Sequence, residues 1–444
     1  MRATAFVCLL AQGLLASACL TEEELRGFRH NLPILHRRQR AQTNKTNDGT
    51  IPRGLGDRFK NGTVAPRGIG SQTGANFTSF YSMDQIQSAT LGLVNEFNLT
   101  YFELPLKTFE NRTMYGLKMP GKAGPTVLLQ AGIHARERGG PDHLINFVAD
   151  LLWAQREGTG LVYGGMSYTA QDVLTALSHG LVVLPLVNPD GVAFDHATNG
   201  CWRKNRNPAS ARPNDTDATT GVDLNRNFAS VWDFRKEMAP ISDDILSVSD
   251  DPESEVFHGT APLSEPEARN IDWVMDQMPD LRWMADLHSH ATQILYAWGH
   301  DTNQVRDPSM NLLNRSYDGK RGAVPDDLAK GYVYAEYIEQ QRLDRITILS
   351  SRVADGMLGA AGRSYTAQIS VGLYPTTGVV TDHVMYRSLV DSSKKTADAI
   401  TIEFGQYNRD ALCSFYPTVP MHNFNMMDVG AGLMEFLLEA ARLG

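Results

Sequence analysis

Apolar residues in this chain fall into short runs separated by longer amphipathic stretches, a pattern that holds from FTSFYSMDQI, near residue 77, onward. The runs TVLLQAGI, GLVVLPLV, LRWMADLH, QILYAW and AITIEF are short, rich in β-branched residues and bounded by turn signals, which predicts buried strands. Between and after them, PDHLINFVADLLWAQ, TAQDVLTAL, SEPEARNIDWVMDQM, YIEQQRLDRITILSSRVADGML and GLMEFLLEAARL carry apolar positions at helical spacing. Ser264, with Glu267 three residues later, predicts a capping box at the start of the third helix. Strands alternating with helices define the α/β class: a mixed, mostly parallel twisted sheet sandwiched between helices. From Trp298 to Tyr332 the chain is polar and turn-rich, which predicts a long surface excursion.

The N-terminal part follows a different rule. Residues 1–19, MRATAFVCLLAQGLLASAC, combine one Arg, an apolar core and an Ala-Ser-Ala exit, the form of a signal peptide. Residues 20–76 are polar, include the basic cluster HRRQR at 36–40 and show little hydrophobic periodicity. They are expected to be a prosegment or flexible N-terminal region ahead of a folded domain over 77–444. A lipid anchor on Cys19 is the rival to a cleaved leader. Against it stand seven Asn-x-Ser/Thr acceptors, at Asn44, Asn61, Asn76, Asn98, Asn111, Asn214 and Asn314, which favour a eukaryotic secretory route, a glycoprotein and an extracellular location. No later apolar run approaches the ~20 residues that would span a bilayer.

Composition narrows the classes further. With 444 residues, 42% hydrophobic and 20% charged, the chain can bury a full core. A net charge of -9 with no basic stripe excludes electrostatic attraction to nucleic acid or an anionic membrane. Of four cysteines, Cys8 lies in the leader and Cys19 at its cut, leaving Cys201 and Cys413 to pair in an oxidising compartment. Two buried free thiols are the alternative.

In AGIHARERGGPDHLINFVADLL a strand runs into His134, Arg136 and Glu137 before a helix begins. The spacing alone is weak, since 12 His and 50 acidic residues make about one such His-x-x-acid match by chance. Its position is stronger, because a strand end is where an α/β sheet exposes side chains to a ligand, and residues three apart on a turn can converge on one ion. Catalytic zinc takes such a pair, a distant third ligand and an open position for water. His288, after another strand, offers the third; Asp286 lies two residues earlier on the same strand face. On numbers alone, His288 or His290 is more readily a structural histidine than a ligand.

The remaining segments, NPDGVAFDHATNGCWRKNRNP, GVDLNRNF, GLYPTTGVVTDHVMY and ITIEFGQYNRD, decide the matter. In order and character they resemble the zinc metallocarboxypeptidases of the pancreatic carboxypeptidase A/B type, from about residue 78 to the C-terminus. The resemblance implies the zinc carboxypeptidase fold, one Zn2+ per chain held by His134, Glu137 and His288, and Glu403 as general base. It further implies that Arg206 sits beside the scissile carbonyl, that Asn225 and Arg226 grip the substrate's terminal carboxylate and that Tyr374 closes over the substrate. Arg136 would line an outer subsite, and Asp223 would orient His134. The implied partner is a peptide or protein C-terminus, and the implied state a monomer. Each role suits its residue type: a carboxylate can take and return a proton, and an arginine fork fits a planar carboxylate as lysine does not.

Some positions depart from that pattern. His290 stands where the family commonly has a tyrosine. The side-chain pocket falls at Thr381, with Thr376, Thr401 and Gly299 around it, and no acid at its base, so a neutral or apolar C-terminal residue is expected. Asp286 leaves a second possibility open, since it can either recruit a basic side chain or hold a zinc-ligand histidine. A catalytically impaired peptide-binding homologue is the other alternative, against which all of His134, Glu137, His288 and Glu403 are retained. An amidohydrolase reading of His288-x-His290 fails because that motif belongs near a first barrel strand.

Overall fold

The computed structural model describes residues 49–122, 124–211, 220–240 and 245–444. The expected leader, the basic cluster at 36–40 and the acceptors Asn44 and Asn214 lie outside them. Eight strands make the central sheet: β1 Thr100–Lys107, β2 Thr113–Met119, β3 Val127–Ala131, β4 Leu181–Leu184, β5 Trp283–His288, β6 Gln293–Tyr296, β7 Thr366–Ile369 and β8 Asp398–Glu403. Their spatial order is β1-β2-β4-β3-β5-β8-β6-β7. Strands β4, β3, β5 and β8 run parallel and β6 with β7 likewise, while β1 with β2, β2 with β4 and β8 with β6 are antiparallel. The expected α/β sandwich is therefore formed.

Because strand side chains alternate, the sheet feeds two cores. Leu129, Ala131, Ala285, Leu287, Ile400 and Ile402 enter one. It is closed by α1 Met83–Phe97, α2 Gly140–Glu157, α3 Ala170–Leu177, α6 Gln340–Ala361 and α8 Val419–Leu443. Leu128, Met284 and Ala399 enter the other, closed by α5 Pro266–Asp276 and α7 Val380–Val390. A further helix, α4 Pro189–Thr198, is capped by Asn188, whose side chain accepts from the Gly191 N–H at 3.0 Å.

Three expectations are corrected. Helix α5 starts two residues after Ser264: Pro266 occupies its first turn, Glu265 is the N-cap without a side-chain bond, and the Ser264 hydroxyl donates to Glu265 at 2.7 Å. No capping box forms, and Glu267 is instead buried against Asn205. The 49–76 part of the supposedly flexible region packs on the body: Ile51 and Phe59 are buried, Ile51 N–H donates to Pro417 O at 2.7 Å, and Asp150 accepts from the N–H groups of Gly70 and Ser71 at 2.9 and 2.8 Å. Finally, the 298–332 excursion is poor in regular structure but is not merely solvated. It folds around buried Arg321, which donates to Asp318 at 2.9 Å, and buried His300 meets Glu336 at 2.9 Å.

Candidate active site

The turn between β3 and α2 is shaped by glycine. Gly139 has φ 102°, and a Cβ there would lie 2.9 Å from His143 and 3.2 Å from His422, so no side chain fits at the helix start. Asn188 ties this turn to the following segment, donating to Ile133 O at 3.0 Å and to Lys204 O at 3.2 Å. The result brings His134 and Glu137 to the ends of β5 and β8, where His288 and Glu403 are register partners.

One ligand atom from each of His134, Glu137 and His288 lies within 4.8 Å of the others, and all three side chains are buried. His134 Nδ1 is 2.7 Å from Glu137 Oε1, and His288 Nδ1 is 3.1 Å from Glu137 Oε2. Both outer nitrogens face carboxylates: His134 Nε2 is 3.1 Å from Asp223 and His288 Nε2 is 2.8 Å from Asp286. Two oriented imidazoles and one carboxylate, each imidazole backed by an acid, fit a zinc ion with a position left for water. The charges reinforce one another. Burial alone would raise the Glu137 carboxyl, but His134 and His288 outweigh it and hold it well below the ordinary range. Burial would lower His288, but Asp286 and Glu137 hold it well above. Asp223 is likewise held low against its burial by Arg203, His134 and Arg226.

The arginine beside this triad is Arg203, which corrects the expectation for Arg206. Arg203 is fully buried, donates through Nε to Asp223 Oδ2 at 2.9 Å and places Nη1 3.9 Å from Glu137. Arg206 packs elsewhere: its guanidinium stacks 3.8 Å from the Phe194 ring centre and 4.8 Å from that of Trp202, with Nε 3.7 Å from Glu110. The chain bends at Lys204 between the two arginines, and of the pair Arg203 is the one bonded to the acids around the triad.

Asn225 and Arg226 follow Asp223 in one turn of 3-10 helix over Leu224–Arg226. Asn225 Oδ1 accepts from the Val380 N–H at 2.9 Å, fixing it to the start of α7. Arg226 is buried and donates through Nε to Ser247 O at 2.5 Å, through Nη2 to Ser247 Oγ at 3.1 Å and through Nη1 to Asn225 O at 2.7 Å. Tyr374 is half-buried among Ala291, Leu295 and Leu373. Thr381 and Thr401 are buried on α7 and β8, and the space a Cβ would take at Gly299 is bordered by Thr376, Asp382 and Ser370.

Arg136 is not open to an outer subsite, which corrects a second placement. It is 1% exposed, stacks 4.4 Å from the Phe415 ring centre and reaches Glu255 at 3.5 Å. His290 stays out of the triad and packs 4.4 Å from the same Phe415 ring. That loop is tied down by the Cys201–Cys413 disulfide, the expected pair, with Cα atoms 5.5 Å apart.

Residues 102–418 match the zinc carboxypeptidase family, Peptidase_M14, and the chain belongs to it. It is 28% identical over 237 residues to carboxypeptidase B of Astacus astacus, covering 52% of this chain and 68% of that protein. It is 30% identical over 269 residues to carboxypeptidase A1 of Bos taurus, covering 59% and 57%. For several such relatives the match spans only about half their length. A solved structure of bovine thrombin-activatable fibrinolysis inhibitor, in complex with tick carboxypeptidase inhibitor, shares the fold with a TM-score of 0.57 at 18% identity, covering 82% of this chain and 97% of that one.

Proposed function

We propose that this protein is an exported, monomeric exopeptidase that hydrolyses the C-terminal peptide bond of peptides and proteins, with a neutral or apolar final residue. The observation that carries this reading is the convergence of His134, Glu137 and His288 with Glu403 on the neighbouring strand end. Zinc at that triad supplies Lewis acidity and a water whose pKa falls toward ~7. Glu403 then takes the proton of the attacking water and returns it to the leaving amine. Arg203 faces the developing oxyanion with a fixed positive charge. Arg226 and Asn225 hold the terminal carboxylate, and Tyr374 closes over the substrate. Leu295 and Leu373 with Thr376, Thr381 and Thr401 support a pocket for a neutral side chain, and Asp286 is engaged by His288 instead of entering it.

Export rests on the leader at 1–19 and on the acceptors Asn61, Asn76, Asn98 and Asn111, all solvent-exposed. Among the described residues no helix is long and apolar enough to cross a membrane. The catalytic unit in this reading comprises 77–444 together with the packed stretch from residue 49. The test is hydrolysis of matched peptides ending in Leu, Phe, Lys, Glu and Leu-amide. Release of Leu or Phe is expected to dominate. Efficient cleavage of the amide or at internal bonds would defeat the exopeptidase reading, and a clear win for Lys would defeat the side-chain assignment.

A further inference from the structure

We propose that Ser247 is a positioning residue that sets Arg226 for carboxylate recognition and links it to the loop carrying Tyr374; the inference rests on the carboxypeptidase reading above. Ser247 lies outside every motif that pointed to the site, on a strap whose neighbours Leu246 and Val248 are buried in the core. It is 3% exposed and all three of its polar groups are used. Its carbonyl accepts from Arg226 Nε at 2.5 Å and from the Thr376 hydroxyl at 3.3 Å, its hydroxyl accepts from Arg226 Nη2 at 3.1 Å, and its N–H donates to Pro375 O at 2.8 Å. Pro375 and Thr376 directly follow Tyr374.

A guanidinium has five N–H donors in a rigid plane. In Arg226, Ser247 takes two and Asn225 O a third, leaving two for an incoming carboxylate. Because Ser247 O and Oγ grip the Nε and Nη2 side together, they fix the plane of the group as well as its position. Rotation of that plane would misalign the remaining pair of donors. The strap also bonds the main chain just after Tyr374, so the carboxylate-binding arginine and the closing tyrosine share one support.

The test compares Ser247→Ala, Ser247→Thr and Ser247→Val in the full-length enzyme with zinc bound. Thr and Val have nearly the same shape and differ in the hydroxyl, so a packing effect moves both and a hydroxyl effect moves only Val. Steady-state kinetics on a peptide ending in free Leu and on its Leu-amide, with the unfolding midpoint of each variant, give the readouts. Expected for Ala and Val is a KM for the free acid at least 5-fold higher, kcat within 2-fold and a smaller acid-over-amide ratio. Thr is expected to stay within 2-fold of the parent in all three. A selective parent enzyme whose Ala and Val variants keep KM and selectivity would overturn this inference alone, as would equal losses in Thr and Val. A parent enzyme that cleaves acid and amide alike would overturn the carboxylate role of Arg226 and this inference with it.

Discussion

His288 Nε2 lies 2.8 Å from Asp286 Oδ2, two residues back on the same face of β5. That bond points His288 Nδ1 at Glu137 and keeps the Asp286 carboxylate engaged behind the imidazole. Backing acids of this kind typically tune metal affinity by 10–100-fold. Asp286→Asn is therefore expected to retain the fold and weaken zinc binding by about that factor. His288→Ala should lose stoichiometric zinc while His290→Ala keeps it. Metal analysis after dialysis against graded chelator checks all three, and zinc lost from the His290 variant alone would reassign the third ligand.

Glu267 gives a pH dependence of stability. It is buried in α5, and burial pushes its carboxyl up to about 8, with Glu265 adding to the shift and Asn205 opposing it. The folded value lies above the ordinary 4.5, so folding favours the protonated acid. Its contribution is complete below about 4.5 and is lost as pH rises through about 8. Asp142, raised to about 7, and Asp150, raised to about 6, act in the same direction, both chiefly through burial. The unfolding midpoint should fall between pH 5 and 9, and Glu267→Gln should flatten the upper part of that decline. A profile unchanged by the substitution would show that Glu267 does not titrate in this range.

The packed N-terminal stretch predicts the effect of truncation. A chain beginning at Phe77 would lose the Gly70 and Ser71 N–H donors to buried Asp150, the Phe59 ring 5.1 Å from Tyr81 and the Ile51 bond to Pro417. Each lost partner of a buried polar group costs about 1–3 kcal/mol. Such a chain should unfold at markedly lower denaturant than one beginning at residue 49. Equal midpoints for the two shortened chains would show that the stretch contributes nothing to the folded unit.

How much of this was legible follows from what each feature is made of. The strands ending at His288 and Glu403 were legible because Met284, Ala285 and Leu287 in one, and Ala399, Ile400 and Ile402 in the other, give short apolar runs, as buried strands require. The 49–76 stretch was not, because it docks through main-chain N–H groups and through scattered side chains such as Ile51, Phe59 and Arg67 that form no periodic pattern. Ser82 and Gln85 cap α1 with reciprocal bonds of 3.3 and 3.2 Å, a signal present in the sequence and outweighed by its polar surroundings. Composition cannot separate a solvated arginine from a buried one, so buried Arg321 was hidden within the polar stretch from 298 to 332. Ser247 was invisible for a related reason: its partners lie more than 20 residues away on either side, and a lone serine has no pattern.

Glu403 provides the sharpest test of chemistry against binding. It ends β8 beside His288, is 2% exposed and is not one of the three converging metal-ligand side chains. Glu403→Gln preserves size and hydrogen-bonding geometry but cannot accept a proton from water, and general-base catalysis typically contributes 10²–10⁴-fold. The variant should therefore keep one zinc and an unchanged unfolding midpoint while kcat falls by roughly 10² or more, with KM for a free-acid peptide little altered. Loss of zinc would place Glu403 among the ligands. Retained turnover would move the base elsewhere, and a raised KM with normal kcat would make Glu403 a binding residue. Because Arg226 lies on a separate turn, combining Glu403→Gln with Ser247→Ala should leave the two defects independent, one in kcat and the other in KM.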